Sequence, residues 1–135
     1  MLKTKDNTQA LHTLHTDITA IILTYNEEKH IERCILSIKD LAKRIVIIDS
    51  LSDDNTLNIV KQHNIDVLQN KFVNHAKQIN WGLENANICT KWILRIDADE
   101  VLTEKLAKKI HENLKNLPTN VAGVSINLKL TFFGK

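Results

Sequence analysis

The chain has 135 residues, of which 43% are hydrophobic and 25% charged, with a formal net charge of +2. That is one domain's worth of sequence with material for a real core, and a charge balance too close to neutral to argue for a nucleic-acid partner. No apolar run approaches the ~18 residues of a membrane span, and the polar stretch from Met1 to Asp17 lacks the apolar segment of a secretory signal. Residues 1–17 therefore read as a leader ahead of a domain over 18–135.

From Ile18 onward two kinds of segment alternate. Ile18–Leu23 is a short β-branched run, the mark of a buried strand. Thr24-Tyr25-Asn26-Glu27-Glu28 breaks it, with Asn26 placed to cap a helix and two glutamates suited to its first turn. Ile31, Cys34, Ile35 and Ile38 then recur at helical spacing. Ile45–Ile48 is a second strand, followed by the polar turn Asp49–Thr56, where Ser52 or Asp53 can cap a helix carrying Leu57 and Val60. Ile65–Leu68 reads as a third strand, and Ala76, Ile79, Leu83 and Ala86 as a helix face interrupted by Gly82.

Lys91–Ile96 is the fourth strand, apolar enough to be buried on both faces, and it runs directly into Asp97-Ala98-Asp99-Glu100. Thr103 can cap a helix whose core face is Leu106, Ile110, Leu114 and Leu117, and Pro118 stands where a helix has ended. Val121–Leu130 reads as a fifth strand. Cys34 and Cys89 both fall in apolar-periodic segments without a CxxC, as buried free thiols would. His30, His63, His75 and His111 share no spacing that suggests a metal. Trp81 and Trp92 suit core positions.

Strand and helix alternating in this way imply right-handed crossovers. The expected fold class is α/β, a three-layer α/β/α sandwich around a mostly parallel sheet. In such a sheet every strand ends at the same rim. Thr24–Glu27, Asp49–Asp54 and Asp97–Glu100 each follow a strand, so all three turns converge where open α/β sheets bind ligands. Three carboxylates within four residues repel one another unless a cation or donors share the site. Hard oxygen ligands suit Mg²⁺ or Mn²⁺ bridging carboxylates to a diphosphate, and Asp49 could accept hydrogen bonds from a base or ribose. The glycine-rich phosphate loops G-x-G-x-x-G and G-x-x-x-x-G-K-[ST] are absent, which leaves a metal to hold the phosphates.

Three stretches carry a family resemblance. Ile21-Ile22-Leu23-Thr24-Tyr25-Asn26-Glu27-Glu28, Ile47-Ile48-Asp49-Ser50-Leu51-Ser52-Asp53-Asp54-Asn55-Thr56 and Trp92-Ile93-Leu94-Arg95-Ile96-Asp97-Ala98-Asp99-Glu100 resemble, in order and spacing, the motifs of family 2 glycosyltransferases. Those are inverting enzymes of the GT-A fold, and the look is that of bacterial members acting on lipopolysaccharide core or other surface glycans. The resemblance implies that Leu23, Thr24, Tyr25 and Glu27 line the nucleotide base pocket, that Asp49 contacts the uracil or its ribose, and that Lys77 approaches the nucleotide or its phosphates. Asp97 would hold the ribose or a metal-bound water and Asp99 the metal; Ser52 and Asp54 would support the second turn. Glu100 reads as an acid at the start of the following helix. Ser50-Leu51 departs from the Asp-Gly common in the family, and Leu23 stands where many members have proline.

The resemblance further implies a nucleotide-sugar donor, most simply a UDP-hexose, a divalent cation, and a glycan or glycolipid acceptor. A cytoplasmic setting, with peripheral association at the inner membrane face, goes with such acceptors. The family's general base and acceptor region lie well beyond the D-x-D turn, so the acceptor half is expected after residue 135 and no residue here is assigned as base. The alternative is a nucleotide-binding module without turnover. Without the acceptor half, Val124, Ile126, Leu128, Leu130, Phe132 and Phe133 would leave an apolar edge strand, and dimerisation or poor solubility is expected.

Overall fold

The computed structural model describes residues 16–117. The elements are β1 (Thr16–Thr24), α1 (Ile31–Ile38), β2 (Ala42–Asp49), α2 (Thr56–Gln62), β3 (Asp66–Gln69), α3 (His75–Asn85), β4 (Trp92–Asp97) and α4 (Glu104–Lys115). The fifth strand read over Val121–Leu130, and the apolar edge expected from it, lie outside the described residues.

The four strands form one sheet in the order β3-β2-β1-β4, and every neighbouring pair is parallel. The β-branched runs explain this arrangement. Ile21, Ile22, Ile47 and Ile48 have no exposed surface, as side chains on both faces of a covered sheet must. Burying each isoleucine contributes about 1.5–3 kcal/mol.

Alternate residues feed two cores. Ala20, Ile22 and Ile47 pack on one face with Ile31, Cys34, Ile35 and Ile38 of α1, Val60 of α2 and Ile110 of α4. Ile21, Val46 and Ile48 pack on the other, with Ile79 and Trp81 of α3 and with Ala86 and Ile88 just beyond it. This is the three-layer sandwich, α/β/α, that the strand–helix alternation implies.

Three expectations change at this level. β4 is not buried on both faces among the described residues: Leu94 and Ile96 enter the core, but Ile93 is 46% exposed and Arg95 is exposed. The helix α3 is covered along Gln78, Gly82 and Ala86, while Ala76 and Leu83 are exposed. A Cβ at Gly82 would sit 3.0 Å from Ile48 Cγ1 and Cδ1, so the glycine lets the helix approach the sheet closely. Finally, Cys34 is buried but Cys89 is exposed; both are free.

Candidate functional site

Register brings the three turns together. Leu23 of β1 lies beside Asp97 of β4, Thr24 beside Asp49 of β2, and Asp49 beside Gln69 of β3. Every one of these residues ends its strand or stands next to the end, so the rim predicted from chain order exists as a row of adjacent positions.

Asp49 is the centre of the row, with no exposed surface. Its Oδ1 accepts from the hydroxyls of Thr24 and Ser52, both at 2.6 Å. Its Oδ2 accepts from the Ser52 amide at 2.8 Å and from Gln69 Nε2 at 3.2 Å. A carboxylate offers about four acceptor sites, and all four are used. The carboxylate therefore ties the ends of β1 and β3 to the turn after β2, at the position the sequence assigns to a base or ribose contact. Asp49 acts on the rim by fixing Thr24, Ser52 and Gln69.

The turns after β1 and β2 are laced to each other. Asn26 adopts a left-handed conformation (φ 51) and does not cap α1, which begins at Ile31 after a turn in which the His30 and Ile31 amides donate to the Glu27 carbonyl. The Asn26 side chain instead accepts from the amides of Asp53 (2.9 Å) and Asp54 (3.3 Å). Returning across the gap, the Asn26 amide donates to Ser52 Oγ at 2.8 Å, Glu27 to Thr56 Oγ1 at 2.8 Å and Glu28 to Asp54 Oδ2 at 3.2 Å. Neither Ser52 nor Asp53 caps α2, whose N-cap is Asn55; Asp54 Oδ1 accepts from the Thr56 amide at 2.9 Å and from the Thr56 hydroxyl. Desolvation works to raise the Asp54 pKa, but the hydrogen bonds from Thr56 and Glu28 outweigh it and hold the carboxyl below its ordinary value.

The acidic turn after β4 closes on itself. Glu100 N donates to the Asp97 carbonyl and Glu100 Oε1 accepts from the Asp97 amide at 2.8 Å. Glu100 thus belongs to this turn, since α4 starts only at Glu104 with Thr103 accepting from Leu106 N. Burial raises the Glu100 pKa most; the hydrogen bond from Asp97 opposes this, and the charges of Asp97 and Asp99 add to the rise. Asp97 and Asp99 are exposed and Ala98 between them is buried, so the turn presents two carboxylates outward on an apolar anchor. From beneath, α1 holds the turn: Cys34 Sγ lies 3.5 Å from the Asp97 carbonyl and Ser37 Oγ accepts from Leu102 N at 3.0 Å. Desolvation, with the neighbouring carboxylates adding, pushes the Cys34 thiol up to about 12.

Among the described residues no three His, Cys, Asp or Glu side chains are grouped closely enough to enclose a metal. The donor set still fits Mg²⁺ or Mn²⁺ of the substrate-bridging kind, which uses one or two carboxylates and completes its shell with phosphate oxygens and water. Lys77, exposed, stands in the first turn of α3, whose N-cap Asn74 accepts from Lys77 N. Its neighbour Gln78 is 1% exposed; Gln78 Nε2 donates to Ser50 Oγ (3.2 Å) and the Asn70 carbonyl (3.0 Å), and Oε1 accepts from Asn70 Nδ2 (2.9 Å). Gln69, Asn70 and Gln78 went unnoticed in the sequence. The available signal was a glutamine recurring with Gly82 and Ala86 at helical spacing. A shallow depression lined by Lys39, Lys43, Arg44, Asn64 and Asp66 opens at the opposite end of the sheet, away from the acids.

The family model of glycosyl transferase family 2 matches residues 19–130, which takes in all three turns. The chain belongs to glycosyl transferase family 2. A relative from Rickettsia bellii named an uncharacterized glycosyltransferase is 36% identical over 94 residues, covering 69% of this chain and 31% of its own length. The lipopolysaccharide core biosynthesis glycosyltransferase LpsC of Rhizobium meliloti is 32% identical over 102 residues, covering 72% of this chain and 37% of LpsC. Glucosyl-3-phosphoglycerate synthase from Mycobacterium tuberculosis, solved with Mn²⁺, UDP and glucosyl-3-phosphoglycerate, superposes with a TM-score of 0.53 at 20% identity, over 75% of this chain and 38% of that one. At that identity the likeness shows the fold, which is GT-A. This family 2 chain spans about a third of the length of the relatives it matches. Among its described residues no helix is long and apolar enough to cross a membrane.

Proposed function

We propose that the chain forms the donor-binding part of an inverting, metal-dependent glycosyltransferase that takes a UDP-hexose and serves a glycan or glycolipid acceptor of the lipopolysaccharide type. The observation that carries this reading is the register: the family 2 residues Leu23, Thr24, Asp49 and Asp97 occupy adjacent strand ends on one rim. The R. meliloti relative supports the acceptor class by its name, and the UDP and Mn²⁺ of the mycobacterial structure support the donor and the cation.

In this reading Leu23, Thr24, Tyr25 and Glu27 border the base, Lys77 approaches the diphosphate, and Asp97 and Asp99 hold the divalent cation. The cation, when bound, supplies positive charge to the leaving diphosphate. The acceptor hydroxyl attacks the anomeric carbon opposite the diphosphate; the new C–O bond forms as the bond to the diphosphate oxygen breaks, with inversion. A carboxylate takes the hydroxyl proton, and none of the described residues is assigned to it. A cytoplasmic site beside the membrane would suit a lipid-linked acceptor.

Binding and turnover are tested separately. Asp99→Asn should lower UDP affinity measured in Mn²⁺ by about tenfold or more, since losing even a group that only supports a metal ligand costs about 10–100-fold, while leaving the circular-dichroism melt unchanged. Equal affinity of the two proteins would refute the assignment. Release of UDP from UDP-glucose with candidate acceptors should follow for a transferase. Tight UDP binding with no release from any donor would favour the binding-module alternative.

A further inference from the structure

Four described residues other than glycine have positive φ: Asn26 (51), Leu51 (65), Asn64 (54) and Asn87 (51). Three are asparagine, which tolerates the left-handed region because its short polar side chain bonds locally. Leu51 has no such compensation, and a branched apolar side chain is among the poorest occupants of that region. It is also 53% exposed, so burial in the core does not explain it.

The positions on either side of it are fixed. Ser50 N donates to the Thr24 carbonyl at 2.9 Å and Ser52 N to Asp49 Oδ2 at 2.8 Å. Asn26 N donates to Ser52 Oγ at 2.8 Å. These bonds tie Thr24 to Ser50 and Asn26 to Ser52, which leaves Tyr25 and Leu51 between them at neighbouring positions on the two turns. Tyr25 is 57% exposed. The rim therefore carries an exposed aromatic and an exposed aliphatic residue at neighbouring positions on two tied turns, and one of the two is held there against its backbone preference. Strain of this kind persists only where the surroundings over-determine it, and it clusters at ligand sites.

We infer that Leu51, bracketed with Tyr25 between the Thr24–Ser50 and Asn26–Ser52 bonds, is a base-contacting specificity residue that packs against the apolar face of the donor's nucleobase. The inference rests on the nucleotide-sugar reading above. A planar heterocycle has two apolar faces, and exposed apolar side chains on two tied turns offer one of them a surface to lie against. A diphosphate has no such face, and this gives the test its contrast.

Equilibrium binding of UDP and of inorganic pyrophosphate, each with Mn²⁺, is measured for the wild-type chain and for Leu51→Gly, Leu51→Asn and Leu51→Met. Glycine and asparagine suit the left-handed backbone, so their melting temperatures should equal or exceed the wild type's. Both should weaken UDP about tenfold, the scale of losing a partly buried leucine contact, and leave pyrophosphate unchanged; methionine should retain UDP binding. Unchanged UDP affinity in the glycine and asparagine variants, or equal weakening of pyrophosphate, would overturn the role of Leu51 while the donor reading stands. A wild-type chain that binds neither ligand would overturn the donor reading and this inference with it.

Discussion

Asp49 illustrates how a single buried side chain organises the rim. Its replacement by alanine strands the buried Thr24 hydroxyl and removes a partner of the half-buried Ser52, and should cost about 1–3 kcal/mol in urea unfolding. The two cysteines should separate cleanly. Only Cys89 should react with a thiol reagent at neutral pH in the native chain, because Cys34 is buried and its thiolate suppressed; both should react in denaturant, and two fast thiols in the native chain would contradict the packing. Glu100 sets a pH dependence. Its folded pKa lies above the unfolded one, so the stability contributed by its protonated form is present at acid pH and is lost as pH rises through the folded value. Glu100→Gln retains an acceptor for the Asp97 amide and removes the repulsion. It should stabilise the chain by a few tenths of a kcal/mol at pH 7, a small figure because solvent screens a partly exposed group, and by nothing at pH 4, as read from paired urea melts.

Among the elements, α3 shows most plainly where the fold and the sequence reading part company. Gly82→Leu should destabilise by about 1–3 kcal/mol, since it overpacks a helix already 3.0 Å from Ile48 at the Cβ position. Ile48→Ala in the same chain should recover part of that loss, a coupling that thermal melts of the four proteins would measure. The four strands, the four helices and the three convergent turns were legible because β-branched runs and helical spacing reflect burial directly. The face of α3 was not. Its covered side is built from Gln78, satisfied by Ser50 and Asn70, and from a glycine whose value is its small size, and neither registers as apolar periodicity. The α1 cap failed for a related reason. Asn26 has capping chemistry, but it spends that chemistry on the amides of the next turn, Asp53 and Asp54, and no local rule sees a partner 27 residues away. The motif residues were legible as a set; the hydrogen bonds around Asp49 were not, because its partners come from the ends of β1 and β3 and from the turn after β2.

For the molecule as a whole, the parallel sheet imposes an order of assembly. β1 and β2 are joined by contacts such as Thr24–Asp49, 25 residues apart, whereas β1 and the approach to β4 are joined by Thr19–Thr90 and Lys91–Asp17, 71 and 74 residues apart. Closing the longer loop costs more chain entropy, and contacts of that range form late. Amides of β4 should therefore exchange with solvent sooner than those of β1 and β2 in native-state hydrogen exchange, and UDP with Mn²⁺ should slow β4 selectively; uniform slowing across the sheet would contradict this order.

The D-x-D turn rides on that late strand. Leu23 and Asp97 become neighbours only when β4 docks on β1, so the outward carboxylates of Asp97 and Asp99 are placed at the rim by that docking. A chain that has folded as far as β3 holds the laced turns without Asp97 and Asp99 at the rim, the pair proposed to hold the cation. In the proposed reading, donor capture and the docking of β4 are then thermodynamically linked. If the chain binds a nucleotide sugar as proposed, that ligand would draw β4 onto β1 in newly made chains.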